Sequence, residues 1–230
     1  AHVRGINARA VRFELDPQSE HISLRSAQRG WRSGLFQDPS IEVLAWVPEH
    51  YSLDLFSGRG DVSVANTSGD VSIETDRGQI LVGHIEGSTR LHGHRGEIIV
   101  DDVSGAIRVR NSQGAIQIRR AGGRVNVISD SGNISVVFSG APKGHLATRR
   151  GAVSVAVPGS KGENYEAFAH PGYVVVRERE RQHDDLVSSE PSLLVEGRRA
   201  GIALGDSTRL LTALELGPSR FGGFGEQDPR

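Results

Sequence analysis

The sequence predicts an all-β protein: a parallel β-solenoid of 18-residue coils, each made of two 9-residue halves. Three observations carry this expectation. Glycine recurs every nine residues without a miss, at Gly60, Gly69, Gly78, Gly87, Gly96, Gly105, Gly114, Gly123 and Gly132. Nearly every one opens the same phrase, a variable residue, Val or Ile, a mostly polar residue, then Val, Ile or Leu, as in GDVSV, GEIIV and GAIQI. Finally, the residue seven past the glycine alternates in kind. It is apolar at Ile85, Val103 and Ala121 but polar at Asp76, His94, Ser112 and Asp130, so the repeat has two different corners and its unit is two halves.

Residues 1–59 lack the beat and are expected to form a β-strand N-terminal cap, because an open array end exposes core and unpaired strand edges. Ala10–Leu15, His21–Arg25, Ile41–Val47 and Tyr51–Phe56 mostly alternate apolar and polar residues, as half-buried strands do. A Gly/Ser/Arg-rich loop, Ser26 to Ser40, contains Trp31 and Phe36; Trp31 or Trp46 is expected to plug the array end.

Residues 60–157 are the solenoid proper. Positions two and four past each glycine should face inward as stacked columns, one running Val62, Ile80, Ile98, Ile116, Ile134 and another Val71, Thr89, Ile107, Val125. Each glycine suits a turn because φ > 0 is open to it at little cost. After Gly132 the beat slips through APKGHLATRR before GAVSVAVPG restores it once at Gly151. Residues 158–204 read as C-terminal strands, Gly172–Arg177 and one near Ser192–Glu196, joined by a charged link. Residues 205–230 form an irregular extended tail, with Ser207 to Leu216 as a short helix capped by Ser207.

Composition narrows the function. A net charge of −1 and a pI near 6.8 argue against a dedicated nucleic-acid or anionic-membrane binder. No cysteine is present, which removes disulfides and thiolate chemistry and leaves the redox compartment open. No methionine is present either, so Ala1 is not expected to be the translation start. No apolar run approaches the roughly 18–20 residues that span a bilayer.

The segment VPEHYSLDLFSGRGDVSVANTSGDVSIETDRGQI, Val47 to Ile80, resembles the adhesin-like family of β-solenoids, a group of unknown function common in bacteria, and the likeness extends over about residues 41–157. GNISVVFSGAPKGHLATRRGAVSVAVPGS, residues 132–160, is similar to the end of the family's eukaryotic members, which implies a mitochondrial location. The resemblance implies the solenoid fold and no catalytic residues. Many bacterial members carry a membrane anchor that is not seen in this sequence.

Candidate chemistry is sparse. Calcium rolls need G-G-x-G-x-D in each turn, whereas here the acidic residues wander among Asp61, Asp70, Glu97 and Asp102, so no metal and no cofactor is expected. Stacking should gather Asn66, His84, Asp102 and Arg120 into one ladder and Asp76, His94, Ser112 and Asp130 into another. A His–Asp–Arg ladder can serve a hydrolytic or metal site, but polar corners need polar residues in any case. Gly205-Asp206-Ser207 and His183-Asp184-Asp185 resemble fragments of hydrolase motifs without their partners. On the faces, Leu81 and Ile99 should touch as exposed aliphatics, the mark either of a protein contact or of a place where the N-terminal segment or the tail folds back, and Arg90, Arg108, Arg110 and Arg124 form a basic patch without interleaved aromatics for RNA. The reading favoured is a non-catalytic scaffold, an accessory subunit of a mitochondrial assembly that binds protein partners through its faces and tail. The alternatives are a bacterial surface or envelope-stress module and a carbohydrate-active β-helix enzyme.

Overall fold

Because Val and Ile at alternate positions make strands with one buried side, each half-coil becomes a strand and each turn reverses the chain into the opposite sheet. The computed structural model describes residues 2–5, 11–16, 20–26, 41–157, 165–170, 173–178, 192–197, 199–204 and 211–212. It is all-β there. Strands β6 (Val62–Thr67), β8 (Ile80–Ile85), β10 (Ile98–Val103), β12 (Ile116–Ala121), β14 (Ile134–Phe138) and β16 (Ala152–Val157) stack in parallel as one sheet. The other halves, β5 (Ser52–Ser57), β7 (Val71–Arg77), β9 (Thr89–Arg95), β11 (Ile107–Gln113), β13 (Val125–Ser131) and β15 (Gly144–Thr148), stack in parallel as the second. The register steps by eighteen, Ile80 beside Ile98 beside Ile116, as the alternating corners require.

The expected inward columns form the core. Ile80, Ile98, Ile116 and Ile134 are buried in one sheet and Val71, Ile107 and Val125 in the other, with Ile85, Val103 and Ala121 tucked into the apolar corner. Phe138 takes the next place in that corner column, opposite Ala121, after the register shifts between Ile118 and Ala121. The slip in the beat is therefore small: Gly132 and Gly151 still stack, nineteen residues apart.

The nine glycines have two different reasons. Gly60, Gly78, Gly96, Gly114 and Gly132 do have positive φ, between 123° and 147°. Gly69, Gly87, Gly105 and Gly123 do not, so the expectation of a positive φ at every turn is corrected for them. A Cβ on Gly105 would land on the carbonyl oxygen of Gly87, one coil below, well inside van der Waals contact. That column is glycine because backbones approach closely, whatever their φ.

The turns also give Asp61 and Asp70 a structural task. Asp61 Oδ1 accepts from the Gln79 backbone N–H at 2.7 Å, and Asp70 Oδ1 from that of Ser88 at 2.8 Å. Asn133 Oδ1 does the same for Ala152 at 2.9 Å. A polar residue just past the glycine thus links its coil to the next.

Parallel stacking begins upstream of Gly60, since β3 (His21–Ser26) already pairs in parallel with β5. Antiparallel strands close the ladders: β2 (Val11–Asp16) against β3 at the start, and the hairpin of β17 (Tyr165–His170) and β18 (Tyr173–Glu178) against β19 (Leu193–Glu196). Strands β19 and β20 (Arg199–Leu204) rejoin the solenoid in parallel beside β15 and β16. A separate two-stranded pair joins β1 (His2–Gly5) to β4 (Ile41–Leu44). The helix expected over Ser207–Leu216 is corrected at its centre, where β21 (Leu211–Thr212) is a strand antiparallel to β20. Leu211 and Thr212 pair with Ile202 and Gly201, so the sheet edge supplied the partner there. Trp46 is 73% exposed and does not plug the array; Trp31 and Phe36 lie outside the described residues.

Candidate functional site

Among the described residues the core is closed, so chemistry there can sit only on the two outward faces and the polar corners. On the eight-stranded sheet the outward column runs Ser63, Leu81, Ile99, Gln117, Ser135, Ser154. Leu81 and Ile99 are in register, one coil apart, with Leu81 43% exposed and Ile99 half-buried. Beside Leu81 stands Gly83. Its φ is not positive, and an added Cβ would meet nothing nearer than Asp101 O at 3.6 Å, an ordinary contact. A strand glycine that the backbone does not require costs about 0.5–1 kcal/mol relative to Ala. Here it keeps the surface next to the two aliphatics low and flat.

On the eleven-stranded sheet the register places Arg90 beside Arg108 and His92 beside Arg110, all four exposed. Arg124 is exposed just before β13 begins. The second sheet therefore carries the basic patch that the sequence expects.

The first corner ladder does assemble in part. His84 Nδ1 lies 3.1 Å from Asp102 Oδ2, and Arg120 Nη2 lies 3.5 Å from that same oxygen and 3.4 Å from Asp101 Oδ1. The backbone explains the residue types better than chemistry does. Asn66, His84 and Asp102 have φ between 55° and 59°, the left-handed region that Asn, Asp and His tolerate best among non-glycine residues. The ladder is open to water, with the His84 side chain 63% exposed, so its ion pairs contribute a few tenths of a kcal/mol each. The second ladder, Asp76, His94, Ser112 and Asp130, stands in register on β7, β9, β11 and β13, and Asp130 extends it to Arg149 at 3.2 Å, nineteen residues on because of the slip in the beat. Among the described residues no group of three or more His, Cys, Asp or Glu is placed to hold a metal ion. His183-Asp184-Asp185 and Gly205-Asp206-Ser207 lie outside the described residues.

A direct expectation follows for the corner. His84→Val should lower stability by about 1–2 kcal/mol, since a β-branched residue is strained at positive φ. His84→Gly should stay within about 0.5 kcal/mol of the parent, because glycine accepts that φ freely. Urea midpoints of the two variants check this, and equal midpoints would show that the corner is not left-handed.

Sequence reasoning missed a buried polar column inside the opposite corner: Thr75, Asn111, Ser129 and Thr148, stacked in β7, β11, β13 and β15 with Gly93 of β9 between the first two. Asn111 Nδ2 donates to Gly96 O at 3.0 Å and Gly114 O at 3.3 Å, and Thr148 Oγ1 donates to Gly132 O at 3.1 Å. Asn111 and Thr148 thus bond to turn carbonyls, whereas Thr75 Oγ1 and Ser129 Oγ are buried in the same column without a hydrogen-bond partner. The sequence signal was there, a small or amide residue six past the glycine in alternate halves. Also missed was His145 Nε2 at 3.1 Å from Glu196 Oε2, a pair made only when β19 rejoins the sheet.

Two opposed parallel sheets wound from 18-residue coils, with flat outward faces and polar corners, define a β-solenoid repeat protein. The chain belongs to the Toastrack DUF4097 family, whose sequence profile covers residues 18–191, well over half of it; the family is one of unknown function. No curated protein and no solved structure matches the chain. Among the described residues, no helix is long and apolar enough to cross a membrane.

Proposed function

We propose that the protein is a non-catalytic scaffold that binds other proteins through the flat faces of its solenoid. The observation that carries this reading is the Leu81–Ile99 pair beside Gly83. Two aliphatics touch on an exposed sheet face, and the fold spends a glycine next to them that its own backbone does not need. Burying such a pair under a partner gains roughly 25 cal/mol for each Å² removed from water, while leaving it exposed gains nothing. A stacked array suits the role because each coil is fixed by both neighbours, so the face is pre-organised and little ordering entropy opposes binding.

The narrower form of the proposal is an accessory subunit of a mitochondrial assembly, supported by the likeness of residues 132–160 to the eukaryotic members of the adhesin-like solenoids. Imaging of the full-length gene product in its own cells tests the location; a bacterial envelope signal would favour the surface-module alternative instead.

The binding claim has its own test. A photo-crosslinking amino acid at position 81 of the full-length chain should form a discrete adduct with a partner in native extract, and Leu81→Arg should abolish the co-purifying complex. Because position 81 faces outward, Leu81→Arg should change folding stability by no more than about 0.5 kcal/mol. A monomer with no adduct at position 81, in its native extract, would overturn the reading.

A further inference from the structure

The Arg90–Arg108 stack is an electrostatic anomaly. Side chains opposite each other on adjacent strands interact, and like charges placed so are destabilising. Several charges elsewhere have opposite partners, Arg120 with Asp101 and Asp102, Arg149 with Asp130 and His145 with Glu196, whereas Arg77 beside Arg95 on β7 and β9 repeats the like-charge stack at the end of the same strands. Among the described residues, Arg90, Arg108 and Arg110 have no carboxylate within ion-pair distance and no side-chain hydrogen bond. Three guanidinium groups and the His92 ring thus form a two-by-two block on two neighbouring coils, with Glu74, beside His92, as the one carboxylate on the outward positions level with it.

The block has sharp limits. One coil below, the outward residues of β7 are Ser72, Glu74 and Asp76, with Arg77 exposed at its end beside Arg95; one coil above, those of β13 are Asn126, Ile128 and Asp130, the last paired with Arg149, and Arg124 is exposed just before them. Level with the block, Ser72 and Glu74 flank it on one side and Asn126 and Ile128 on the other, so its charge is confined to the width of two coils, about 10 Å from the 4.8 Å spacing of strands. That suits a single extended chain and disfavours a duplex or a lipid surface. Strands β7, β9, β11 and β13 contain no Phe, Tyr or Trp, so apart from the imidazoles of His92 and His94 single-stranded nucleic acid lacks its usual sequence-tolerant stacking platform. Along one strand, alternate side chains stand about 6.6–6.8 Å apart, and the same pitch separates alternate side chains of an extended peptide. A Glu-x-Glu segment laid along β11 therefore meets Arg108 and Arg110 cation for anion, with each Arg able to take a carboxylate in a bidentate pair and Arg90 flanking on the next coil.

We infer that the outward face of β9 and β11 is a docking site for an extended acidic segment of a protein partner, with carboxylates on alternating residues held by Arg108 and Arg110 and flanked by Arg90. The inference rests on the reading of the solenoid as a protein scaffold, but it uses the sheet opposite Leu81 and stands or falls on its own residues.

The test titrates the full chain into a fluorescein-labelled peptide of alternating Glu and Ser, followed by fluorescence anisotropy at low and physiological salt. Controls are an alternating Gln-Ser peptide, a block isomer with all Glu before all Ser, an oligouridylate and a heparin-derived oligosaccharide. The alternating acidic peptide should bind in preference to every control. Arg90→Gln/Arg108→Gln should weaken it by roughly tenfold or more, and Leu81→Arg should leave it unchanged. The double variant should also melt about 1–3 °C higher, since it removes the uncompensated like-charge pair. Equal binding of the block isomer, tighter binding of oligouridylate or heparin, or no binding at all would each overturn the assignment. A lower melting temperature in the double variant would do so too, by showing a structural role for the two arginines. Loss of the crosslink at position 81 with this binding intact would defeat only the Leu81 contact.

Discussion

Gly96→Val should lower the melting temperature by at least about 10 °C, or split the transition in two. Two costs coincide at this position. Its φ of +146° is strained for any L side chain, and a Cβ there would land on the carbonyl oxygen of Gly78 in the coil below. Neither obstacle is the far end of a movable side chain. The Gly96 N–H also donates to Gln113 O at 3.0 Å, so a shift away from Gly78 strains the bond to the coil above. In a stacked array each coil is supported by its neighbours alone, which is why damage at the middle can uncouple the halves on either side. Two companion variants separate the causes. Gly60→Ala meets nothing nearer than Ser57 Oγ at 3.8 Å and should pay only the φ strain, while Gly105→Ala has ordinary φ and should suffer only the clash with Gly87 O. Thermal melts followed by circular dichroism check all three. A Gly96→Val protein that melts like the parent would contradict the stacking of these turns.

The same comparison shows what the sequence could and could not reveal. A turn glycine and an inward Val or Ile repeat every coil, so their spacing is visible without coordinates, and Ile80, Ile98 and Ile116 stack as that spacing requires. The two kinds of corner were legible for the same reason, since an apolar corner residue such as Val103 differs in type from a solvated one such as His94. The hidden parts lack a period. Strand β20 rejoins the array without a glycine phrase, after an excursion whose length no local signal sets, so neither its pairing with β16 nor the His145–Glu196 contact could be anticipated. The pairing of Asp130 with Arg149 was not legible, because a single extra residue in the slip moves the register from eighteen to nineteen. Trp46 was misjudged by assuming that a large ring must be buried; area alone does not say whether the fold has a pocket for it. As for the candidate site, Leu81, Ile99 and the arginines were placed on their faces by alternation alone. The lack of a carboxylate within ion-pair distance of Arg90 and Arg108 needed the neighbouring coils in three dimensions.

A core truncation should show the same dependence on neighbours. Ile116→Ala should cost about 2–5 kcal/mol, because Ile116 is fully buried between Ile98 and Ile134 and the rigid backbone of two adjoining coils cannot collapse into the space. Val62→Ala, in the same column but at its N-terminal end, should cost only about 1 kcal/mol, since Val62 is half-buried and fewer atoms surround the space it leaves. The side chains differ by one methylene, worth about 0.8 kcal/mol, which leaves most of the expected gap to position in the array. Urea denaturation of both variants, with midpoints and slopes compared, decides it. Similar losses at the two positions would mean that the column does not behave as a stack and that burial in each coil is set within that coil. A steep difference would place the stability of the flat faces in the middle coils, where β9 and β11 carry the arginines and β8 and β10 carry Leu81 and Ile99. The faces proposed to bind partners would then lie on the part of the solenoid that opens last.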